Sequence, residues 1–182
     1  MMRAMDIDPK TAASLGFAKT KYLAIEHERR WLCDAVPRDL VDRTEAITDL
    51  YVTGTQMRLR EARPIDGGPP MLRLTRKADI DPHTRLISSI YLPENEFAVL
   101  AVSLAGVAIR KLRHRLRSII PTVKIHVDEF QAAHAGLFLT EAEFESADAL
   151  AAFTAPPFAV LREVTSDLRY TGGMLVREGV PR

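Results

Sequence analysis

Charged and apolar residues alternate at every second position in six short segments of this chain. Side chains i, i+2 and i+4 of an extended strand point to one face, so each segment, as a strand, would carry a polar row on one side. Three rows are almost purely basic and two are largely acidic. The rows are Glu26, Glu28 and Arg30; Gln56, Arg58 and Arg60; Arg73, Thr75 and Lys77; Lys111, Arg113, Arg115 and Arg117; Lys124, His126 and Asp128; and Glu141, Glu143 and Glu145.

This alternation, together with glycine and proline breaks, predicts eight strands and a few helices. Gly54-Thr55 lies between two of the segments, which is typical of a hairpin turn. The helical spacing of Phe97, Leu100 and Leu104 predicts a helix before Gly106. The predicted strands are 22–33, 47–53, 56–62, 71–78, 84–92, 107–119, 123–131 and 137–145, and the predicted helices are 93–105 and 146–153.

The short connections between these segments favour antiparallel pairing, and closing such a sheet removes its exposed edges. The sequence therefore predicts an α+β, mainly β fold: an eight-stranded antiparallel closed barrel, or tunnel, with a few flanking helices. Apolar residues such as Leu59, Leu74 and Val127 alternate with the charged rows, so we expect them to face outward against the helices. The charged rows then face inward, where charge is costly unless it is hydrated, paired or bound to a ligand.

Composition favours one domain and restricts the partners. The chain has 182 residues, 47% of them apolar, and a formal net charge of +1. We expect a partly ordered leader over residues 1–20 and a single domain over 21–182. The small net charge predicts no sequence-specific nucleic-acid partner, and the longest apolar run is too short to predict a membrane span. Cys33 is the only cysteine, which excludes an internal disulfide and suits the cytoplasm.

The basic rows indicate an anionic ligand. Arg58, Arg60, Arg73 and Lys77 fall on neighbouring predicted strands, and those strands place no acid on the same face. Like charges side by side in a sheet repel, so we expect something anionic to offset them. The planar fork of arginine binds two phosphate oxygens at once, and lysine adds a compact charge. A plainer interpretation stays open, in which the charged rows are the solvated faces of half-buried strands.

The acidic rows indicate a divalent cation. Glu141, Glu143 and Glu145 share one face, and Glu26 and Glu28 share another. Mg²⁺ and Mn²⁺ are hard ions that bind carboxylate oxygens together with water and substrate phosphates. The alternative is that 141–145 pairs with the basic row at 113–115 and holds no metal.

The order of these segments along the chain resembles the CYTH, or triphosphate tunnel metalloenzyme, family, in its small bacterial branch. The resemblance runs from about residue 22 to the end of the sequence. The matching segments are Glu26-His27-Glu28-Arg29-Arg30, Arg58-Leu59-Arg60, Leu74-Thr75-Arg76-Lys77, Lys111-Leu112-Arg113, Asp128 and Glu141-Ala142-Glu143.

This resemblance implies an eight-stranded tunnel that binds triphosphate groups with Mg²⁺ or Mn²⁺ as cofactor. It implies that Glu28, Arg30 and Glu145 are the catalytic candidates, with Glu28 or Glu145 positioning a water and Arg30 replacing a signature lysine. The implied phosphate contacts are Arg58, Arg60, Arg73, Lys77, Lys111 and Arg113, and the implied metal ligands are Glu26, Glu28, Glu141 and Glu143.

The predicted function is metal-dependent hydrolysis of a triphosphate phosphoanhydride, with inorganic tripolyphosphate as the expected substrate and a homodimer as an open alternative to a monomer. Two departures keep other functions open. Arg30 cannot shed a proton as a lysine can, and Ile87 and Ser89 stand where relatives often carry a second pair of glutamates. The alternatives are a non-catalytic module that binds a triphosphate or nucleotide, and a class IV-type adenylyl cyclase.

Overall fold

The computed structural model describes residues 7–181. The strands are β1 (Ala24–Leu32), β2 (Val41–Val52), β3 (Met57–Pro64), β4 (Met71–Asp79), β5 (Thr84–Tyr91), β6 (Gly106–Leu116), β7 (Val123–Phe130), β8 (Phe138–Phe144) and β9 (Arg162–Glu163). The helices are α1 (Pro9–Ser14), α2 (Glu94–Ser103), α3 (Ala147–Ala152) and α4 (Gly172–Glu178). Short 3₁₀ turns cover Thr20–Tyr22, Arg38–Leu40, Ala132–His134 and Leu168–Tyr170.

The first eight strands close into an antiparallel barrel, in the order β1-β5-β4-β3-β2-β6-β7-β8 and back to β1. β1 makes the closure because its first residues pair with β5 and its later residues pair with β8. The two-residue strand β9 adds to β1 beside Trp31 and Leu32. The predicted closed barrel of eight antiparallel strands is confirmed, and β9 is an addition that the alternation did not predict.

Strand β2 is longer than the sequence predicted. It begins at Val41 and pairs with β6 through a register shift between Val41 and Arg43. Asp42 and Arg43 are exposed there, so this end of the strand shows no regular alternation of apolar and polar residues. The extension carries Glu45 into the barrel, where its carboxylate accepts a hydrogen bond of 2.8 Å from Arg115 Nε.

Apolar side chains cover the outside of the barrel wall, as the alternation predicted. Trp31, Phe144 and Phe153 form one outer cluster, in which Phe153 makes edge-to-face contacts with the other two rings. Helix α3 ends at this cluster, and its N-cap residue Ser146 accepts a hydrogen bond from the backbone of Ala149. Burial of these rings stabilises the outer wall and leaves the inner face to polar groups.

Part of the predicted leader belongs to the folded barrel. Ile7, Ala12 and Phe17 are buried against Leu23 and Leu86 on the outer wall. The guanidinium group of Arg76 on β4 donates a hydrogen bond to the carbonyl of Leu15 and lies 4.2 Å from the Phe17 ring centroid. Residues 1–6 of the leader lie outside the described residues. Helix α1 and the turn after it therefore pack on the outer surface of the barrel, where Arg76 of β4 holds them.

Helix α4 closes one end of the barrel on the side of β6, β7 and β8. Leu175 is buried against Ile109, Phe130 and Leu139, which are inward-facing residues near that end. The imidazole Nε2 of His134 lies 2.9 Å from the carbonyl oxygen of Leu175 and fixes the helix from outside. This apolar plug confines the charged interior to the middle of the barrel. No helix within residues 7–181 is long and apolar enough to cross a membrane.

Candidate functional site

A cavity lies along the axis of the barrel, and all eight barrel strands contribute to its lining. We call this cavity the bore. The charged and hydroxyl-bearing side chains that line it are Glu26, Glu28, Arg30, Asp49, Tyr51, Arg58, Arg60, Arg73, Lys77, Arg85, Lys111, Arg113, Glu141, Glu143 and Tyr170. Alternation brings them together because each strand sends every second residue inward.

The bore contains all six predicted phosphate contacts, all four predicted metal ligands and Arg30. Glu145, the remaining predicted site residue, is exposed just past the end of β8 and does not line the bore. The other two acids of its row, Glu141 and Glu143, do line it. The structure therefore gathers the predicted groups in one place, while their roles in binding and catalysis stay predictions.

Asp49 on β2 was not predicted as a site residue, and it is buried beside the basic row of β3. Its carboxylate accepts two hydrogen bonds of 2.6 Å from Arg60, one from Nε and one from Nη2. Arg58 Nε lies 3.5 Å from the same carboxylate. The strand of Arg58 and Arg60 places no acid on the bore face, as expected, yet a carboxylate still offsets their charge. The acid comes from the neighbouring strand β2, where it is the only carboxylate in an otherwise apolar stretch and forms no charged row.

The pairing of Asp49 is reflected in its ionisation. Burial alone would raise the pKa of Asp49, but the charges of Arg58 and Arg60 outweigh burial and hold the pKa far below its ordinary value. Asp49 in turn helps to raise the pKa of Arg58 against the opposing effect of burial. Asp49 is thus a fixed negative charge embedded in the basic wall.

A second fixed ion pair lies across the bore. Asp128 on β7 accepts hydrogen bonds from Arg113 Nε at 2.8 Å and Arg113 Nη2 at 2.7 Å, and it also accepts one from Lys111 Nζ. Arg113 Nη2 lies 3.0 Å from Glu141 as well. The alternative in which 141–145 pairs with the basic row therefore holds for Glu141. Lys111 and Arg113 are already neutralised before any ligand arrives.

His126, Asp128 and Glu141 each bring one ligand atom to within 4.8 Å of the others. This cluster is a poor metal site because its carboxylates are in use. Asp128 holds Lys111 and Arg113, and Glu141 Oε2 lies 2.7 Å from His126 Nε2. A cation there would have to displace resident positive charge.

Glu26 lies on the opposite wall and pairs with Lys77. Lys77 Nζ donates a hydrogen bond of 2.6 Å to Glu26 Oε2, and Arg85 Nε lies 4.0 Å away. Burial opposes ionisation of Glu26, but the charges of Lys77 and Arg85 prevail and lower its pKa to about 2. Arg85 was absent from the predicted site, although its position at the start of a predicted strand could have indicated an inward side chain.

Glu28 and Glu143 are the two bore carboxylates that remain least compensated. They are directly paired in the register of β1 and β8. Glu28 Oε1 lies 2.9 Å from Arg85 Nη2 and 3.6 Å from Arg30 Nε, yet neither contact has hydrogen-bond alignment. Burial is the main reason that the pKa of Glu28 is raised, and the negative charge of Glu141 adds to it. Glu143 has no ion pair with any residue between 7 and 181.

Besides Arg30, whose Nε faces Glu28, three arginines present buried donor atoms to the bore without a hydrogen-bond partner in the described part of the chain. These atoms are Nε and Nη2 of Arg58, Nε of Arg73 and Nε of Arg85. A buried donor without a partner costs free energy, so these groups are prepared to bind an anion. They lie on β3, β4 and β5, which form one continuous wall.

Arg30 is buried, and its donors point away from the phosphate wall. Its Nη1 donates to the carbonyl of Tyr170 at 3.3 Å, and its Nη2 donates to the carbonyl of Thr165 at 3.2 Å. Its backbone N–H donates to Thr165 Oγ1 at 3.0 Å. The guanidinium group of Arg30 therefore anchors the C-terminal segment at Thr165 and Tyr170 beside the bore.

No family model matches the chain, and no curated protein matches it. Solved structures do resemble its fold. A structure of the inorganic triphosphatase NE1496 aligns with a TM-score of 0.53 and 24% identity over 83% of this chain and 93% of the other. A second structure of NE1496 gives a TM-score of 0.54 and 24% identity, over 86% and 99% of the two chains. PH1012 from Pyrococcus horikoshii OT3 gives a TM-score of 0.50 and 14% identity, over 69% and 82%.

Proposed function

We propose that this chain hydrolyses a phosphoanhydride bond of a triphosphate with the help of Mg²⁺ or Mn²⁺, and that inorganic tripolyphosphate is the substrate. One observation carries the proposal: arginine donors without hydrogen-bond partners and a pair of carboxylates in direct strand register line the same closed bore. The likeness in fold to an inorganic triphosphatase supports it.

The charge of the bore suits a bound polyanion. Eight cationic side chains line it, against five carboxylates, and a sixth carboxylate, Asp128, is buried behind Lys111 and Arg113. The resulting positive excess favours a ligand with several negative charges. Of the six predicted phosphate contacts, Arg58 and Arg73 have free donors, whereas Arg60, Lys111 and Arg113 are held by aspartates. We therefore place the phosphates along Arg58, Arg73 and Arg85.

Glu28 and Glu143 fit a divalent cation. Two carboxylates in direct register repel unless a proton or a cation lies between them, and Glu28 Oε1 is buried without a hydrogen-bond partner. Glu26 and Glu141, the other two predicted ligands, flank this pair but are engaged by Lys77 and by His126 and Arg113. A bound Mg²⁺ or Mn²⁺ would supply charge neutralisation at the phosphate oxygens and would make a bound water more acidic.

The protein's own side chains would bind the phosphates, stabilise the leaving group and take up the proton of the water. Arg58, Arg73 and Arg85 would hold the phosphate oxygens and stabilise the charge that moves to the leaving phosphate. Glu28 would hold the attacking water and take up its proton. Arg30 would act on the reaction through Glu28, 3.6 Å away, because its other donors bind backbone carbonyls. The apolar plug of α4 would restrict the entry of bulk water at one end.

We propose the cytoplasm as the compartment, and the buried thiol of Cys33, which has no disulfide partner, supports it. One chain supplies every lining residue of the bore, so the proposed chemistry does not need a second copy. A homodimer stays a prediction.

A binding module without turnover is the second candidate, and the inner face of β5 favours it. Ile87 is buried on that face, and Ser89 Oγ lies 2.9 Å from Thr75 Oγ1. Neither position supplies a carboxylate for a second cation. A site with one cation would bind a triphosphate more readily than it would cleave one.

Phosphate release from tripolyphosphate, with Mg²⁺ and with Mn²⁺, tests the proposal. We expect the wild-type chain to release phosphate at least 100-fold faster than a Glu141→Ala, Glu143→Ala double variant. Equal rates would contradict the hydrolase. Calorimetry with tripolyphosphate and ATP then shows whether a chain that does not hydrolyse these ligands still binds them, as the binding module requires. Formation of cyclic AMP from ATP would instead identify a cyclase.

A further inference from the structure

The basic wall of the bore contains one buried acid that neither binds a ligand in the proposed function nor can be reached by solvent. Asp49 is 1% exposed and is held between two arginines of β3. It takes both hydrogen-bonding atoms of one edge of the Arg60 guanidinium, at 2.6 Å each. Arg60 therefore has these two donors occupied before any phosphate binds.

Arg58 lies near the same carboxylate but forms no hydrogen bond with it. Its Nε lies 3.5 Å from Asp49 Oδ1 without a hydrogen bond, and its Nε and Nη2 have no hydrogen-bond partner among residues 7–181. Asp49 thus attracts Arg58 without using its donors. The two arginines differ in availability, although they are two residues apart on one strand and face the same way.

The balance of charge on this wall depends on that one acid. Arg73 on β4 is paired with Arg60 in the register of β3 and β4. Burial and the positive charges of Arg60 and Arg58 lower the pKa of Arg73, which shows that the three guanidinium groups repel one another. Asp49 is the carboxylate that contacts this group directly within the described residues.

We propose that Asp49 is a specificity-determining positioning residue: it occupies the Nε and Nη2 donors of Arg60 and limits the positive charge that reaches the phosphates. It thereby restrains affinity for longer, more highly charged polyphosphates relative to a triphosphate. This inference rests on the proposed function, because it concerns the phosphate ligand of the same bore. Removing the negative charge would free Arg60 to bind phosphate and would tighten binding as the number of phosphates rises.

Calorimetry with pyrophosphate, tripolyphosphate and tetrapolyphosphate in metal-free buffer tests this inference. In Asp49→Asn we expect a lower Kd for every phosphate, by about tenfold for tripolyphosphate and by more for tetrapolyphosphate. We also expect a steeper dependence of Kd on salt and a lower Tm, because an ion pair is lost. A residue with a purely structural role would lower the Tm and would weaken binding or leave it unchanged.

Two further variants complete the experiment. Glu45→Gln removes another inward carboxylate of β2, which pairs with Arg115 and does not line the bore, and it should leave the Kd values as in the wild type. Asp49→Asn combined with Arg60→Met removes both members of the Asp49–Arg60 pair, keeps the net charge of the wall and should restore the wild-type Kd within about threefold. The double variant keeps the test valid if the single variant does not fold.

The outcomes separate this inference from the proposed function. Absence of tripolyphosphate binding by the wild-type chain would overturn both. Binding by the wild type that is unchanged or weakened in Asp49→Asn would overturn the inference alone. A loss of more than about tenfold in the double variant would also overturn it, because Arg60 would then itself be a phosphate ligand.

Discussion

Glu28 on β1 and Glu143 on β8 stand directly opposite each other in the strand register, and both line the bore. Neither has a well-aligned hydrogen bond to a cationic side chain in the described part of the chain, although Glu28 lies 2.9 Å from Arg85 Nη2. Two facing carboxylates in a closed barrel store electrostatic repulsion. Their arrangement is the feature of the barrel that most needs a cation.

Removal of this pair should abolish the response to metal. We expect Mn²⁺ to raise the Tm of the wild-type chain, because an ion that binds only the folded state stabilises it. The double variant Glu28→Gln, Glu143→Gln should show a higher Tm than the wild type without metal and no increase with Mn²⁺. Thermal unfolding with and without Mn²⁺ measures both effects.

The matched control for this experiment is Glu145→Gln, two residues further along the same row but exposed and outside the bore. It should keep the full Mn²⁺ response. Loss of the response in Glu145→Gln, or its survival in the double variant, would contradict the assignment of the cation to Glu28 and Glu143.

Arg30→Lys, which installs the lysine expected from the family resemblance, should loosen the C-terminal segment. Lysine carries all its donors on one nitrogen and lacks the fork by which Arg30 reaches the carbonyls of Thr165 and Tyr170 from two nitrogens, so we expect a loss of about 1–3 kcal/mol in the free energy of unfolding. Hydrogen exchange should increase over residues 165–175 more than over the barrel strands. The exposed Arg43→Lys serves as the control, and uniform exchange in both variants would refute an anchoring role for Arg30.

Gly172 and Gly173 are neighbours at the start of α4 with opposite tolerance for a side chain. A Cβ at Gly172 would lie 1.8 Å from the hydroxyl oxygen of Tyr51, whereas a Cβ at Gly173 would meet no atom within 4 Å. Gly172→Ala should therefore displace the plug and destabilise the fold by about 1–3 kcal/mol. Gly173→Ala should be neutral or stabilising by up to about 1 kcal/mol, because alanine favours a helix. Urea unfolding measures the stability of both variants. Equal effects of the two substitutions on stability would argue against close packing of α4 on Tyr51.

Acid should destabilise the barrel below about pH 4 through its buried aspartates. Burial opposes ionisation of Asp128, but Arg113 and Lys111 prevail and hold its pKa well below the ordinary value. A carboxyl with a lowered folded-state pKa contributes stability above its unfolded pKa and loses that contribution as the pH falls toward the folded value. The urea midpoint should therefore be level between pH 7 and 5 and should fall below about pH 4.

Asp128→Asn tests the origin of this acid sensitivity. It should lose about 3–5 kcal/mol at pH 7, because Lys111 and Arg113 stay buried without their partner, and its stability should fall less steeply below pH 4. Asp148→Asn, in the exposed first turn of α3, should keep the wild-type pH profile. An unchanged acid slope in Asp128→Asn would show that other groups set the profile.

The alternation of charge predicted the barrel and most of the bore, because alternate residues of a strand must share a face. Arg58, Arg73 and Glu143 were recognisable since each belongs to a row of polar residues. Asp49 was missed because a lone acid among apolar neighbours forms no row. Its role depends on β2 lying beside β3, which no local pattern contains.

The packing of helix α4 at the end of the barrel could not be predicted from the sequence either. Two adjacent glycines disfavour a helix, so local propensity at Gly172-Gly173 does not predict the start of α4. The structure shows the reason for the first glycine, since Tyr51 occupies the space of its missing side chain. Contact between residues 51 and 172 joins distant parts of the chain, and local propensity carries no information about it.

Calorimetric titration of tripolyphosphate into the wild-type chain, Arg58→Gln and Arg63→Gln tests the central claim most directly. Arg58 has buried unpartnered donors in the bore, whereas Arg63 lies on the same strand, is exposed and pairs with Glu61. The account predicts that Arg58→Gln weakens binding by about 10- to 100-fold and that Arg63→Gln leaves it unchanged. Equal affinity in all three proteins, or a loss only in Arg63→Gln, would show that the phosphate chain does not lie in the bore.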